Sequence, residues 1–496
     1  MIYTKTKNIF IKKFFHKIQD QIINRHIYIF LFFAIWLCID TNFDNIIALK
    51  QQINFRNIFT SSRALAPFLL FIIFIFNLLN KKQNLLIAKK NNFNKIILVF
   101  IIYFLSQFPG FIFTGNDILN SYYLLIALIT IFTIIKSYKE NFLIINYQIS
   151  LFILSLLVTI YGLSTYKWFF LDTINLNFYG TYPTAYIYMS EFSSNVIRSS
   201  GLARSSMILI IPLILLILIK KINTISLITF LFLSSIIYLT QSRVVILFYI
   251  IFTIFLIIFY LSKKKLKYKL SKMFILLLLP IIFSNFMIFS KEIIRTTDFD
   301  KIYKSFKNKI IYKDTYEKPS HYTELHDYGY VEHKFYAEVL VRPRLTRPVE
   351  EYSFSSNRVT YWKNVISNSK RPLFGYGALG DKFLIDRNSA NAFIYSYASG
   401  GLISVFLLLI IFIRYSFLSI KLILIDKVVL SMKNLIILSS IFTIIFLMYR
   451  SLAEVGIAVF SIDFMIFLTC ITICEKSLTK NNNYTYPKTG VGLQMI

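Results

Sequence analysis

Long apolar runs with almost no charge decide what this chain can become. Phe142–Leu163, Val244–Ser262, Met273–Ser290 and Asn391–Ile413 contain no Lys, Arg, Asp or Glu, and Val455–Cys474 contains only Asp463. About 20 apolar residues in a helix are enough to cross a bilayer core of about 30 Å. The balance agrees: of 496 residues, 56% are hydrophobic and 16% charged, against about 25% charged in a soluble domain. The runs predict an all-α polytopic membrane protein of about twelve transmembrane helices. Their expected spans are residues 22–39, 64–80, 95–113, 119–135, 142–163, 202–219, 222–240, 244–262, 273–290, 391–413, 434–449 and 455–474.

The formal net charge of +30 raises the question of nucleic acid. With the N-terminus inside, the inside segments hold 28 Lys and Arg and the short outside loops hold 8. The other 18 lie in the long outside segment, which does not count toward topology because long segments translocate regardless of charge. The excess of cations inside predicts N-in and C-in. The positive charge is then topology plus attraction to anionic lipid headgroups, and no nucleic-acid partner is needed.

The expected organisation is a basic cytoplasmic N-terminus (1–26), nine transmembrane helices (22–290) and a large, mostly helical periplasmic loop (291–390). Three further helices (391–474) and a cytoplasmic tail (475–496) follow. The Lys-rich start resembles a signal peptide, but no small-residue cleavage site follows Cys38, so the first helix is read as uncleaved. The cysteines Cys38, Cys470 and Cys474 form neither a CxxC pair nor a Cys/His zinc pattern, and no metal or cofactor is expected.

The outside face is polar and rich in tyrosine. In the large loop, Ser355 and Ser356 can cap a helix over 357–369. Its spacing puts Arg358, Tyr361, Trp362 and Val365 on one face. Arg371 to Gly377 (Arg-Pro-Leu-Phe-Gly-Tyr-Gly) then breaks the helix into a glycine turn.

Arginine placement is the most informative feature. Lysine dominates inside, whereas Arg198, Arg204, Arg243, Arg358 and Arg450 all fall at the outer face. A guanidinium fork binds phosphate oxygens in pairs, so the set suits a pyrophosphate ligand. The alternative for each is an interfacial anchor paired with an acid or a headgroup. Glu454 follows Arg450 by one helical turn, as a general base or as the partner of Arg450, with the ion pair the better founded reading. Asp463, about nine residues deeper, is either a functional intramembrane acid or a hydrogen-bond partner of a neighbouring helix. His321, His326 and His333 lie in the large loop as solvent-exposed residues or as a base.

These residues resemble the O-antigen ligase and O-antigen polymerase superfamily of bacterial membrane glycosyltransferases. The most specific stretch runs through Ser356-Asn357-Arg358, Trp362 and Pro372-Leu373-Phe374-Gly375-Tyr376-Gly377. It continues through Ser389-Ala390-Asn391-Ala392-Phe393-Ile394-Tyr395 to Gly400-Gly401. Ser242-Arg243, the stretch from Arg198 to Arg204, and Arg450 to Glu454 also agree.

The resemblance implies a metal-independent, inverting glycosyltransferase of the bacterial inner (cytoplasmic) membrane, with its active site facing the periplasm. It implies a polyprenyl-pyrophosphate-linked glycan as donor, a saccharide or lipid A core as acceptor, and a chain-length regulator as a candidate partner. Arg358, Arg450 and Glu454 take the catalytic positions, and Arg198, Arg204 and Arg243 hold the pyrophosphate. Trp362, Gly375, Gly377 and Asn391 form the glycan-contact or loop motif. Ligases of this family usually carry His just before the motif's Asn, and Ala390 stands there instead. This favours a polymerase joining repeat units, with a ligase as the alternative. A flippase or exporter of lipid-linked glycan is more distant, because it needs polar residues through several helices.

Overall fold

A computed structural model describes residues 93–114, helical positions scattered between 121 and 163, and residues 199–219, 223–239, 242–260, 266–296, 358–385, 388–425 and 430–483. Every regular element among the described residues is helical. In chain order these are α1 (Phe93–Leu105), α2 (Phe108–Thr114), α3 (Ser199–Ile219), α4 (Thr224–Leu239), α5 (Arg243–Tyr260), α6 (Leu266–Met273) and α7 (Leu279–Thr296). Then follow α8 (Arg358–Asn368), α9 (Gly380–Ile385), α10 (Ala392–Ile420), α11 (Leu435–Ser451) and α12 (Ile462–Asn483).

Among the described residues, four helical stretches are long and apolar enough to cross a membrane: Gly201–Ile219, Arg243–Tyr260, Leu270–Met287 and Ala392–Leu424. Three shorter apolar helices, Ile97–Ile112, Thr224–Tyr238 and Leu435–Ser451, accompany them. The protein is an integral membrane protein on this ground. The expected spans at 22–39 and 64–80, most of the periplasmic loop with its three histidines, and Arg198 lie outside the described residues.

Several boundaries differ from those read in the sequence. The expected helix 95–113 is interrupted at Ser106–Gln107. The span 273–290 belongs to a longer helix from Leu266 to Thr296, with a π turn at Phe274–Leu278. The last span starts at Ile462 rather than 455, because Gly456 takes a positive φ of 49° and residues 452–461 form turns and one 3-10 turn.

The chain divides into two compact units, residues 154–357 and residues 1–153 with 358–496. In the first, α3 is central, with Leu202, Ile208, Ile210 and Ile211 fully buried, and α4 and α5 pack against it. The Lys272 ammonium donates to the Ile217 carbonyl at 2.7 Å, which satisfies an orphan acceptor in the last turn of α3. A π turn frees backbone carbonyls, and the Tyr249 hydroxyl donates to one of them, Leu276 O.

The core of the second unit is aromatic. Phe100 of α1 contacts Tyr415 of α10 and Phe464 and Phe467 of α12, mostly edge to face. All four rings are at most 2% exposed. α10 is bent where Gly400 (φ −133°) and Gly401 (φ 65°, ψ −160°) leave helical geometry. The bend exposes peptide groups that a straight helix would pair internally, and the glycine turn takes them up. Tyr376 N donates to Ala398 O and Gly377 N to Ser399 O, both at 2.8 Å, while Leu402 N donates to Pro372 O at 2.7 Å.

Candidate functional site

Arg358 opens α8, the helix expected from Asn357 onward. Val365 of the predicted inner face is fully buried, and Arg358, Tyr361 and Trp362 are half-buried. The Trp362 indole N–H donates to the Ser389 carbonyl at 2.7 Å, which fixes the rotation of α8 about its axis. The Arg358 guanidinium then stands 3.6 Å from a carboxylate oxygen of Glu454, with the side chains 31% and 32% exposed. This is a solvent-accessible ion pair, too long for a direct hydrogen bond, so both groups keep capacity for a ligand.

Glu454 sits in the turn after α11, not on a helix. Leu452 N donates to Tyr449 O at 3.2 Å and Ala453 N to Arg450 O at 2.9 Å. From across the fold, the Asn391 side-chain amide donates to Leu452 O at 2.8 Å. The same Asn391 caps α10, accepting from Phe393 N at 2.8 Å and Ile394 N at 3.1 Å. Expected among the glycan-contact or loop-motif residues, Asn391 is here occupied as a brace between the start of α10 and the turn that carries Glu454.

The expectation that Glu454 partners Arg450 is corrected. Arg450 bonds to Asp463, and the two side chains are 7% and 2% exposed. The reason is local geometry: α11 ends at Ser451, so Glu454 leaves the helical path that would set it over Arg450. Asp463 is not deep in the last helix but in its first turn, level with the end of α11. Buried and paired, Arg450 holds two helix ends together and does not present its guanidinium to a ligand.

Asp381 was not singled out in the sequence. It is fully buried and accepts from Ser389 N at 2.8 Å and Lys382 N at 2.9 Å. Burial pushes its carboxyl above the usual carboxylate range, opposed by those bonds. Through Ser389 it fixes the carbonyl that holds Trp362. No sequence spacing announces such a contact, because its partner lies across a loop.

The glycines of the motif serve close approach. Gly375 has φ 61° and Gly377 φ 89°. A side chain on Gly375 would meet Gly400 N and Ser399 C at 2.6 Å. Tyr376 is anchored by accepting from Lys370 N at 2.8 Å and stacks on Phe383.

Of the remaining predicted arginines, Arg204 is 7% exposed and Arg243 is exposed, each within the first two turns of its helix in the unit of residues 154–357. Arg358, Arg450 and Glu454 belong to the other unit. Among the described residues, no group of three or more His, Cys, Asp or Glu comes together as a metal site.

Residues 228–392 match the family model described as O-antigen ligase. No curated protein and no solved structure matches the chain. Arg243, Arg358, Trp362, Gly375, Gly377 and Asn391 fall inside the matched residues, and Arg204, Arg450 and Glu454 fall outside them. Over residues 228–392 the chain is thus similar to the O-antigen ligase family, which supports a place in the O-antigen ligase and polymerase superfamily.

Proposed function

We propose that this protein is an O-antigen or surface-polysaccharide polymerase working at the periplasmic face of the bacterial inner membrane. The observation that carries the reading is the accessible Arg358–Glu454 pair in a chain similar over residues 228–392 to the O-antigen ligase family. A hydroxyl of the saccharide acceptor attacks the anomeric carbon of the polyprenyl-pyrophosphate-linked glycan. The bond from that carbon to the pyrophosphate oxygen breaks with inversion, and the lipid pyrophosphate leaves.

Glu454 accepts the hydroxyl proton as general base. Arg358 stabilises negative charge as it builds on the leaving pyrophosphate, where a fixed donor is worth most. No metal is required in this scheme, since pyrophosphate is a good leaving group and Arg358 supplies countercharge. Trp362, held by its bond to Ser389, supports a glycan-facing helix.

Ligation of finished glycan onto lipid A core is the second reading, favoured by the description of the matched family. Against it stands Ala390, which has no group able to act as a base. The surface-polysaccharide and lipid-carrier profile of a strain lacking the protein separates the two. Lipid A core capped with one repeat unit establishes a polymerase. Uncapped core with long polymer held on the polyprenyl carrier establishes a ligase and overturns the preferred reading.

A further inference from the structure

We infer that residues 371–377 form a re-entrant wedge whose tip, Leu373 and Phe374, is inserted among the acyl chains of the bilayer. The inference is independent of the transferase reading. Leu373 and Phe374 are 54% and 42% exposed, although they belong to a segment expected at the aqueous surface. Their place is set by backbone contact with α10. Leu402 N donates to Pro372 O, and a side chain on Gly401 would strike the Leu373 backbone.

The level of that contact follows from helix length. Asn391 caps one end of α10, and further along Arg414 pairs with Glu475 at 3.0 Å. Because α10 is bent at Gly400 and Gly401, the level is measured along the unbroken stretch from Gly401 to Arg414, about 20 Å at about 1.5 Å per residue. That is short of a hydrocarbon core of about 30 Å, so with the Arg414–Glu475 pair at one edge Gly401 lies inside the core.

The tip also continues a lipid-facing stripe. Leu402, Phe406, Ile413 and Phe417 lie on one face of α10 and are all more than half exposed, on a helix long and apolar enough to cross the membrane. What solvates that stripe also solvates Leu373 and Phe374 beside it. Non-helical backbone survives at such depth only when its polar groups are paired. Here Tyr376 N, Gly377 N and Pro372 O are all bonded to α10, and residues 375–378 are buried.

Nitroxide labels at Leu373→Cys and, separately, Phe374→Cys test this in the full chain with Cys38→Ala, reconstituted in phosphatidylethanolamine–phosphatidylglycerol liposomes. Cys470 and Cys474 are buried and are checked as unlabelled background. Exposed Asn388, as Asn388→Cys, is the aqueous reference. Collision with oxygen exceeding collision with a water-soluble nickel chelate several-fold, reversed at Asn388, is the expected result. A nickel-accessible tip matching Asn388 overturns the inference. Exclusion of both reagents also overturns it, since a second copy or another segment would then cover the tip.

Discussion

Arg450 is bound to Asp463 across two helix ends, while Glu454, four residues from Arg450, faces Arg358 instead. The buried pair and the accessible pair lie in one unit and have different consequences. Removing one member of a buried pair leaves a charge without solvent or partner, at about 3–5 kcal/mol. Exposed pairs contribute about 0–1 kcal/mol.

Asp463→Ala should therefore lower the thermal stability of the purified protein and its accumulation in the membrane. Replacing both partners, Arg450→Met with Asp463→Leu, should recover much of the loss, because paired apolar groups need no countercharge. A single substitution that melts like the parent protein, measured by thermal unfolding in detergent, would sink the structural role.

Arg358→Ala and Glu454→Gln should leave insertion and melting nearly unchanged and reduce glycan transfer about 100-fold or more, the scale of losing one fixed charge-stabilising donor. Arg358→Lys retains charge but loses the fork and should also be impaired. The exchange Arg358→Glu with Glu454→Arg restores the ion pair with its members swapped. It should stay inactive; recovered transfer of labelled lipid-linked repeat units would reduce the pair to a structural link.

Gly375→Ala should destabilise the turn by about 1–3 kcal/mol, since a left-handed conformation strains any residue with a Cβ. The added carbon also meets the α10 backbone at 2.6 Å. The readout is faster proteolysis between α8 and α10, together with a lower melting temperature. Unchanged cleavage would mean that the turn does not hold the bend in α10.

Asp381 gives a pH dependence of defined sign. Its folded carboxyl is held above the usual carboxylate range by burial, so the folded state binds the proton more tightly than the unfolded chain. The stability it contributes is complete below the ordinary carboxylate value and is lost as pH rises through the raised folded value. Melting temperature against pH should fall across that window more steeply for the parent than for Asp381→Asn. Parallel curves would show that Asp381 does not titrate in this way.

Much of this was legible in order along the chain. The inward Val365 of α8 and the glycine turn after it follow from spacing and the preference of glycine for positive φ, whereas the expected caps Ser355 and Ser356 lie outside the described residues. Asp381 was invisible because its value lies in a contact with Ser389 across a loop. The role of Asn391 as both helix cap and brace of the Leu452 turn needed the fold as well, since the motif alone does not show what its amide reaches.

By itself the sequence determined that the chain is a helical membrane protein, because apolar runs of this length can satisfy their backbone only within their own helices once water is gone. It also set the expectation of which arginines stand against the rule that cations stay inside. Only the tertiary structure decided which carboxylate each arginine meets. α11 stops at Ser451 and α12 begins at Ile462, and that interruption turns Glu454 toward Arg358 and leaves Arg450 to Asp463. Charge pairs form where helix ends are brought together, and neighbouring residues part wherever a helix ends between them.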